Sequence, residues 1–294
     1  MTVYTLQESR RWCHELMRSS ARNFYYGMSL LPEEKRQAMF ALYAYMRRID
    51  DIADSSVDAG VDKPLARLAL EYWRTSTHRA LAGEDVDHPI FPALREAMQR
   101  FSIPADLLDS AIDGQLMDMN RAQYTSFDEL KRYCYCVAST VGIAALYIWG
   151  FHGADALKLA DDRGVAFQLT NILRDIREDH ARGRVYLPQD DIVRFGVDLD
   201  CVIAGGPTGA FAEMMRFQCE RAAEYYARSS ALESLVAPDA RATLRIMTSI
   251  YDGILKQIQT DPLVVLSRRA GLSSAEKFRE VGRELWRTQR EGSS

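Results

Sequence analysis

The sequence predicts an all-α protein, and three observations carry that prediction. Apolar residues recur with helical spacing along the whole chain, strand-like alternation is nearly absent, and helix-start signatures stand where the periodic runs begin. Thr5 with Glu8, Ser126 with Glu129, and Ser273 with Glu276 each fit a capping box, in which a hydroxyl and a carboxylate satisfy each other's backbone N–H. Pro32, followed by Glu33 and Glu34, suits a first helical turn: proline has no N–H to leave unpaired there, and the acids complement the helix dipole. Pro104 marks a second such start.

In chain order, the periodicity predicts helices over 5–27, 32–56, 64–82, 89–101, 104–122, 126–150, 153–181, 188–195, 208–231, 237–260 and 273–290. Loops fall at 58–63, 83–88, 181–188 and 205–208. None is long enough for an inter-domain linker and no fixed-period repeat is present. Residues 1–294 are therefore expected to form one helical domain.

A formal net charge of −4 argues against a nucleic-acid partner, which calls for a basic surface. An anionic small molecule would then need local arginines, lysines or a metal. Cys13, Cys134, Cys136, Cys201 and Cys219 lack disulfide or zinc spacing and read as buried packing residues in a reducing compartment. The N-terminus has no apolar signal-peptide core, and the chain ends in TQREGSS with no anchor. The longest apolar run, Val141–Trp149, is interrupted by Gly142 and falls short of the ~20 residues that span a bilayer. A cytoplasmic protein is expected, touching a membrane at most peripherally; nothing bears on its oligomeric state.

The chemistry concentrates on two predicted helices. In Ala38–Ser55, Tyr43, Arg47, Asp50 and Asp54 fall on one stripe of an otherwise apolar helix, with Asp51 beside it. In Gly164–Gly183, Gln168, Asn171, Asp175 and Asp179 do the same, flanked by Arg174 and Arg177. One Asp-x-x-x-Asp pair occurs often by chance. Two pairs, each emerging from an apolar helix and each extended by further polar residues, are harder to read as solvated faces. Buried carboxylates are costly without partners, and Arg47 can neutralise only one. Magnesium fits such a set, because it takes oxygen ligands and bridges carboxylates to phosphates. Diphosphate becomes a good leaving group once its charge is neutralised, and the carbocation left behind needs a dry, aromatic cavity. Phe24, Phe40, Tyr43, Tyr133 and Tyr251 are candidates to line one.

Three stretches, YAYMRRIDDIAD (43–54), YCYCVASTVG (133–142) and AFQLTNILRDIREDHARGRVYLP (166–188), resemble the squalene/phytoene synthase family in composition, order and spacing. The resemblance implies an all-α isoprenoid (terpenoid) synthase fold around a central cavity. It also implies Mg²⁺-dependent joining of two identical prenyl diphosphates, head to head, through a cyclopropyl diphosphate. By that resemblance Asp50, Asp54, Asp175 and Asp179, with Asn171, bind two or three metal ions. Tyr43, Arg47, Gln168, Asp118, Tyr133, Arg174, Tyr251 and Arg268 match diphosphate contacts or other polar site positions. The run 181–188 matches a flap, with Arg182 and Arg184 facing phosphate. One element departs from the family: where a Ser-x-Ser-Phe run is usual, this chain has Ser20-Ala21-Arg22-Asn23-Phe24, which leaves Ser20, Arg22 and Asn23 as the phosphate candidates there.

Phe24, Met28 and Phe40 are expected to line the tail pocket. Overall resemblance to bacterial C30 enzymes puts farnesyl diphosphate and a presqualene or squalene-type product first, and geranylgeranyl diphosphate and phytoene second. No G-x-G-x-x-G fingerprint supports NADPH, although the resemblance leaves a reductant open. Two further readings remain: a terpene cyclase or head-to-tail elongase, against which the long match over 166–188 speaks, and a non-catalytic helical interaction module, which predicts no Mg²⁺-dependent stabilisation by a prenyl diphosphate analogue.

Overall fold

The structure is a computed structural model, and it describes residues 3–20, 27–58, 63–120 and 123–291. Among these the regular elements are helices; the only β features are isolated bridges at Gln123–Val185 and Phe151–Val236. The first half supplies α1 (Leu6–Ser20), α2 (Glu33–Asp58), α3 (Lys63–Leu81), α4 (Phe91–Arg100) and α5 (Asp106–Asn120). Then α6 (Phe127–Cys134), a π-helical turn (Tyr135–Ser139) and α7 (Thr140–Trp149) follow without a break. The second half comprises α8 (Ala156–Ala181), α9 (Gln189–Phe195), α10 (Leu199–Ile203), α11 (Gly209–Arg228), α12 (Leu232–Leu235), α13 (Pro238–Thr260), α14 (Val264–Ser267) and α15 (Ser274–Glu291).

The helix starts follow the local chemistry. Thr5 N donates to Glu8 Oε2 at 2.8 Å and Glu8 N to Thr5 Oγ1 at 3.2 Å, a reciprocal box. Ser273 and Glu276 repeat it at 2.7 and 3.3 Å. The box at α6 is shifted: Glu129 N donates to Ser126 Oγ at 3.4 Å, but the Glu129 carboxylate takes the N–H of Thr125, at 3.0 Å. Helix α5 begins at Asp106, two residues beyond Pro104, whose carbonyl accepts from Leu107 N at 3.3 Å.

Two features depart from the expected pattern. The single helix expected over 126–150 is interrupted by the π turn, and the one-turn helices α10, α12 and α14 fall where none is expected. One turn is too short to display a period. The π turn packs tightly between two glycines: a Cβ at Gly164 would lie 2.5 Å from Ser139 Cα, and one at Gly114 would lie 2.6 Å from Val137 Cγ1. Of the cysteines, Cys13, Cys134 and Cys219 are buried as expected, whereas Cys136 is half-buried and Cys201 on the short α10 is exposed.

Two buried clusters hold the helices together. The first joins α1 to α5 with α7 around Ala41, Tyr45, Ile49 and Leu70. The second gathers the C-terminal part of α8 with α11 and α13 around Leu169, Leu173, Phe211 and Ile254. Each acidic stripe borders one cluster. Within α8, burial of Val165, Leu169, Ile172, Leu173 and Ile176 contributes on the order of 1.5–3 kcal/mol per side chain. That outweighs the few tenths of a kcal/mol by which like charges at i, i+4 oppose the helix. Packing thus holds the aspartates where their mutual repulsion would not.

Candidate active site

The first stripe faces α5. Asp50 accepts from Gln115 Nε2 at 2.6 Å. Burial, reinforced by Asp54, Asp51 and Asp118 against the opposing charge of Arg47, pushes the Asp50 carboxyl up to about 7. Arg47 forms its ion pair with Asp51, at 2.6 Å. Tyr43, half-buried on the same stripe, has its phenol pushed up by burial.

The segment after α8 closes over this stripe. Arg184 lies 3.6 Å from Asp54 Oδ1 and 3.1 Å from Asp118 Oδ2, so one guanidinium spans two carboxylates on two helices. Asp118 also accepts from the Tyr186 hydroxyl at 2.5 Å. Burial raises the Asp118 carboxyl, opposed by Arg184 and the Tyr186 bond. Tyr186 stacks on Tyr133, their ring centres 5.3 Å apart, and Tyr124 stands 5.3 Å from Tyr133. The segment is fastened by its backbone: Val185 bridges to Gln123, and the N–H groups of Gln189 and Asp190 donate to the carbonyls of Tyr124 and Thr125 at 2.8 and 3.0 Å.

The second stripe carries a different set of charges. Asp175 accepts from Arg174 Nε at 2.8 Å and Nη2 at 2.5 Å, and from Arg269 Nε at 2.8 Å and Nη2 at 3.1 Å. Burial alone would raise the Asp175 carboxyl; the two guanidiniums outweigh it and hold it below the usual carboxylate range. Asp179, one turn on, has no such clamp. Burial and then the charges of Asp175 and Asp118 push it up to about 7, against Arg184 and Arg182. Asn171 Nδ2 donates to Gln168 Oε1 at 3.3 Å, while its buried Oδ1 has no hydrogen-bond partner. Tyr251 from α13 stacks 4.5 Å from Phe167. Asp118 is thus felt electrostatically by both stripes, and Arg184, paired with Asp54, lines a small cavity with Asp179 of the second.

A cavity of about 770 Å³ opens beside the second stripe. Asn171, Arg174, Tyr251, Arg268, Arg269 and Lys277 line its polar side; Ile246, Met247, Ile250 and Ile254 line its apolar side. Arg268 is exposed there. Met28 and Phe40 are not among its lining residues: both are buried in the first cluster, with Phe40 stacked on His14 at 5.3 Å. Arg22, Asn23, Phe24 and the side chain of Ser20 lie outside the described residues. Gln115, Tyr186 and Arg269 are site neighbours that spacing along single helices does not reveal; the Arg268-Arg269 doublet and the Arg184-Val185-Tyr186 run are their only trace in the sequence.

One acidic stripe thus lies under the Arg184 segment, and the other borders a basic, partly apolar cavity. The squalene/phytoene synthase family model matches residues 17–276, and the chain belongs to this family. It is a prenyltransferase of the head-to-head condensing type. The phytoene synthase of Mycobacterium bovis is 37% identical over 276 residues, covering 92% of this chain and 89% of that one. The phytoene synthase of Arthrospira platensis is 32% identical, covering 94% and 92%. Among solved structures, a ligand-bound dehydrosqualene synthase superposes with a TM-score of 0.83 at 25% identity, covering 97% of this chain and 98% of that one. The all-α isoprenoid synthase fold implied by the resemblance is the fold of this chain.

Proposed function

We propose that the chain joins two geranylgeranyl diphosphates head to head to give phytoene, in a site whose Mg²⁺ ligands are Asp50, Asp54, Asn171, Asp175 and Asp179. The observation that carries the diphosphate reading is Arg184, which pairs with Asp54 of the first stripe and with Asp118 and lines a small cavity with Asp179 of the second. The choice of the C20 substrate rests on relatives: those 37% and 32% identical over more than nine-tenths of the chain are phytoene synthases. That reverses the order of preference drawn from the sequence. The C15 reading, with farnesyl diphosphate and a C30 product, is favoured by the near-complete superposition on a dehydrosqualene synthase.

The donor set fits magnesium. Asn171 Oδ1 is a buried oxygen without a donor, and Asp50 and Asp179, unlike Asp175, carry no two-arginine clamp. A magnesium ion held by these residues would take its remaining ligands from water or from diphosphate oxygens. When bound, the metal neutralises the departing diphosphate.

In this reading Arg184, Arg174 and Arg268 contact diphosphate oxygens, assisted by Tyr43, Arg47, Gln168, Asp118 and Tyr251. Tyr133 presents an aromatic face to the allylic cation, and Ser20, Arg22 and Asn23 contribute to the phosphate end. Ile246, Met247, Ile250 and Ile254, with Phe24, bound the prenyl tail in place of Met28 and Phe40, which are packed in the first cluster. Quenching by proton loss needs no reductant, whereas hydride quenching would call on NADPH. A C40 hydrocarbon is insoluble in water, so delivery to a membrane surface follows; among the described residues no helix is long and apolar enough to cross a membrane.

The test is incubation with each diphosphate and Mg²⁺, with and without NADPH, followed by mass analysis of the lipid extract. A C40 product from the C20 substrate supports the proposal. A C30 product alone would transfer it to the C15 reading, and no product from either would end it.

A further inference from the structure

Asp175 is the most heavily engaged carboxylate of the site. Each oxygen accepts from two guanidiniums: Oδ1 from Arg174 Nε and Arg269 Nε, both at 2.8 Å, and Oδ2 from Arg174 Nη2 and Arg269 Nη2, at 2.5 and 3.1 Å. Mg²⁺ takes a carboxylate oxygen at about 2.0–2.1 Å and repels any cation sharing that oxygen. Its ligation by Asp175 therefore requires one guanidinium to withdraw.

The two arginines differ in what holds them. Arg174 neighbours Asp175 on the same helix, and its side chain is 16% exposed. Arg269 arrives from the loop joining α14 to α15, and its side chain is 53% exposed. It has a second acceptor within reach, Glu178 at 3.8 Å, and it lines the large cavity together with Arg268 and Lys277. An anion in that cavity would offer it an alternative partner. The loop itself is anchored: Gln257 Nε2 donates to Gly271 O at 3.2 Å and Gly271 N donates to Gln257 Oε1 at 3.1 Å, so the primary amide reads the loop backbone as a neighbouring strand would.

We propose that Arg269 is a gating residue that occupies Asp175 until a diphosphate in the adjoining cavity draws it away, so that metal and diphosphate bind cooperatively. The proposal deepens the diphosphate reading and rests on it. Such coupling is reciprocal: whatever factor the diphosphate adds to metal affinity, the metal adds to diphosphate affinity. Holding Arg269 on Asp175 also keeps the ionising centre incomplete until substrate is present.

The experiment titrates full-length protein with Mn²⁺ as a paramagnetic substitute for Mg²⁺, reading bound ion by electron paramagnetic resonance, with and without inorganic diphosphate. For the wild type, diphosphate should raise Mn²⁺ affinity at least tenfold. Arg269→Gln should bind Mn²⁺ alone several-fold more tightly than wild type, and should lose most of the added effect of diphosphate. Asp175→Asn should remove the Arg269-dependent difference. Unchanged or weaker Mn²⁺ binding by Arg269→Gln without diphosphate would overturn the proposal. If melting shows Arg269→Gln to be unfolded, Gln257→Leu, which releases the loop and leaves both arginines in place, is expected to shift Mn²⁺ affinity in the same direction; no shift would overturn it equally. Failure of the wild type to turn over either prenyl diphosphate would sink the proposed function and leave this Mn²⁺ comparison readable.

Discussion

Asp50→Asn is expected to stabilise the protein while silencing it. Burial and the neighbouring carboxylates push the Asp50 carboxyl up to about 7 in the folded chain, against a reference of 3.8. Between those values the folded state holds a proton that the unfolded state releases, so folding stability falls as pH rises from ~4 to ~7 and stays lowered above it. Three pH units correspond to a ceiling of about 4 kcal/mol. Asp50 is only half-buried, and solvent screening reduces that to about 1–3 kcal/mol. Asparagine removes the charge and keeps the oxygen that accepts from Gln115. At about pH 8 the melting temperature should therefore rise by roughly 2–6 °C, at about 2 °C per kcal/mol for a chain of 294 residues. At about pH 4, where the carboxyl is protonated in the folded chain and largely so in the unfolded one, the gain should nearly vanish. Calorimetry at both pH values measures this, and Mg²⁺-dependent diphosphate release should be lost at either. A gain equal at the two pH values, or no gain at about pH 8, would refute the reasoning that repulsion and burial at this carboxylate strain the fold.

Other substitutions probe the remaining parts of the site. Arg184→Gln removes the charge partner of Asp118, which is only 7% exposed; breaking such a pair costs up to about 3–5 kcal/mol. Because Asp118 can take up a proton instead, the drop in melting temperature should be larger at about pH 8 than at about pH 5. Tyr186→Phe keeps the ring stack but deletes the bond to Asp118, and thermal melts should show a loss of about 1.5–3 kcal/mol. Gly164→Ala drives a methyl to 2.5 Å from a backbone carbon that cannot yield, and should destabilise by about 3 kcal/mol, visible in urea unfolding.

The all-α fold and both acidic stripes were legible because each rests on helical periodicity, which a single sequence displays directly. The capping boxes at Thr5 and Ser273 were equally local and stand as read. What escaped depends on contacts between distant positions. Arg269 reaches Asp175 across 94 positions, Tyr186 reaches Asp118 across 68, and Gln115 reaches Asp50 across 65. No spacing rule connects such pairs. The shifted box at Ser126 turned on a choice between two adjacent N–H groups, which a motif does not specify. Chain length was the least legible property, since it depends on the shape of a tail cavity rather than on a charged motif.

The π turn at Tyr135–Ser139 has a bearing on how this helix tolerates length changes. Each residue of an α-helix adds about 100° of rotation. A five-residue turn closing i to i+5 therefore stores one residue's worth of angular offset between α6 and α7. Deleting a single residue within it would restore an unbroken α-helix of better backbone geometry, yet swing Tyr133 through more than a quarter circle away from Tyr186 and unseat Ser139 from Gly164. The stretch is thus a place where shortening the chain would improve local regularity and dismantle the aromatic wall. Its irregularity acts as a phase setting for one tyrosine.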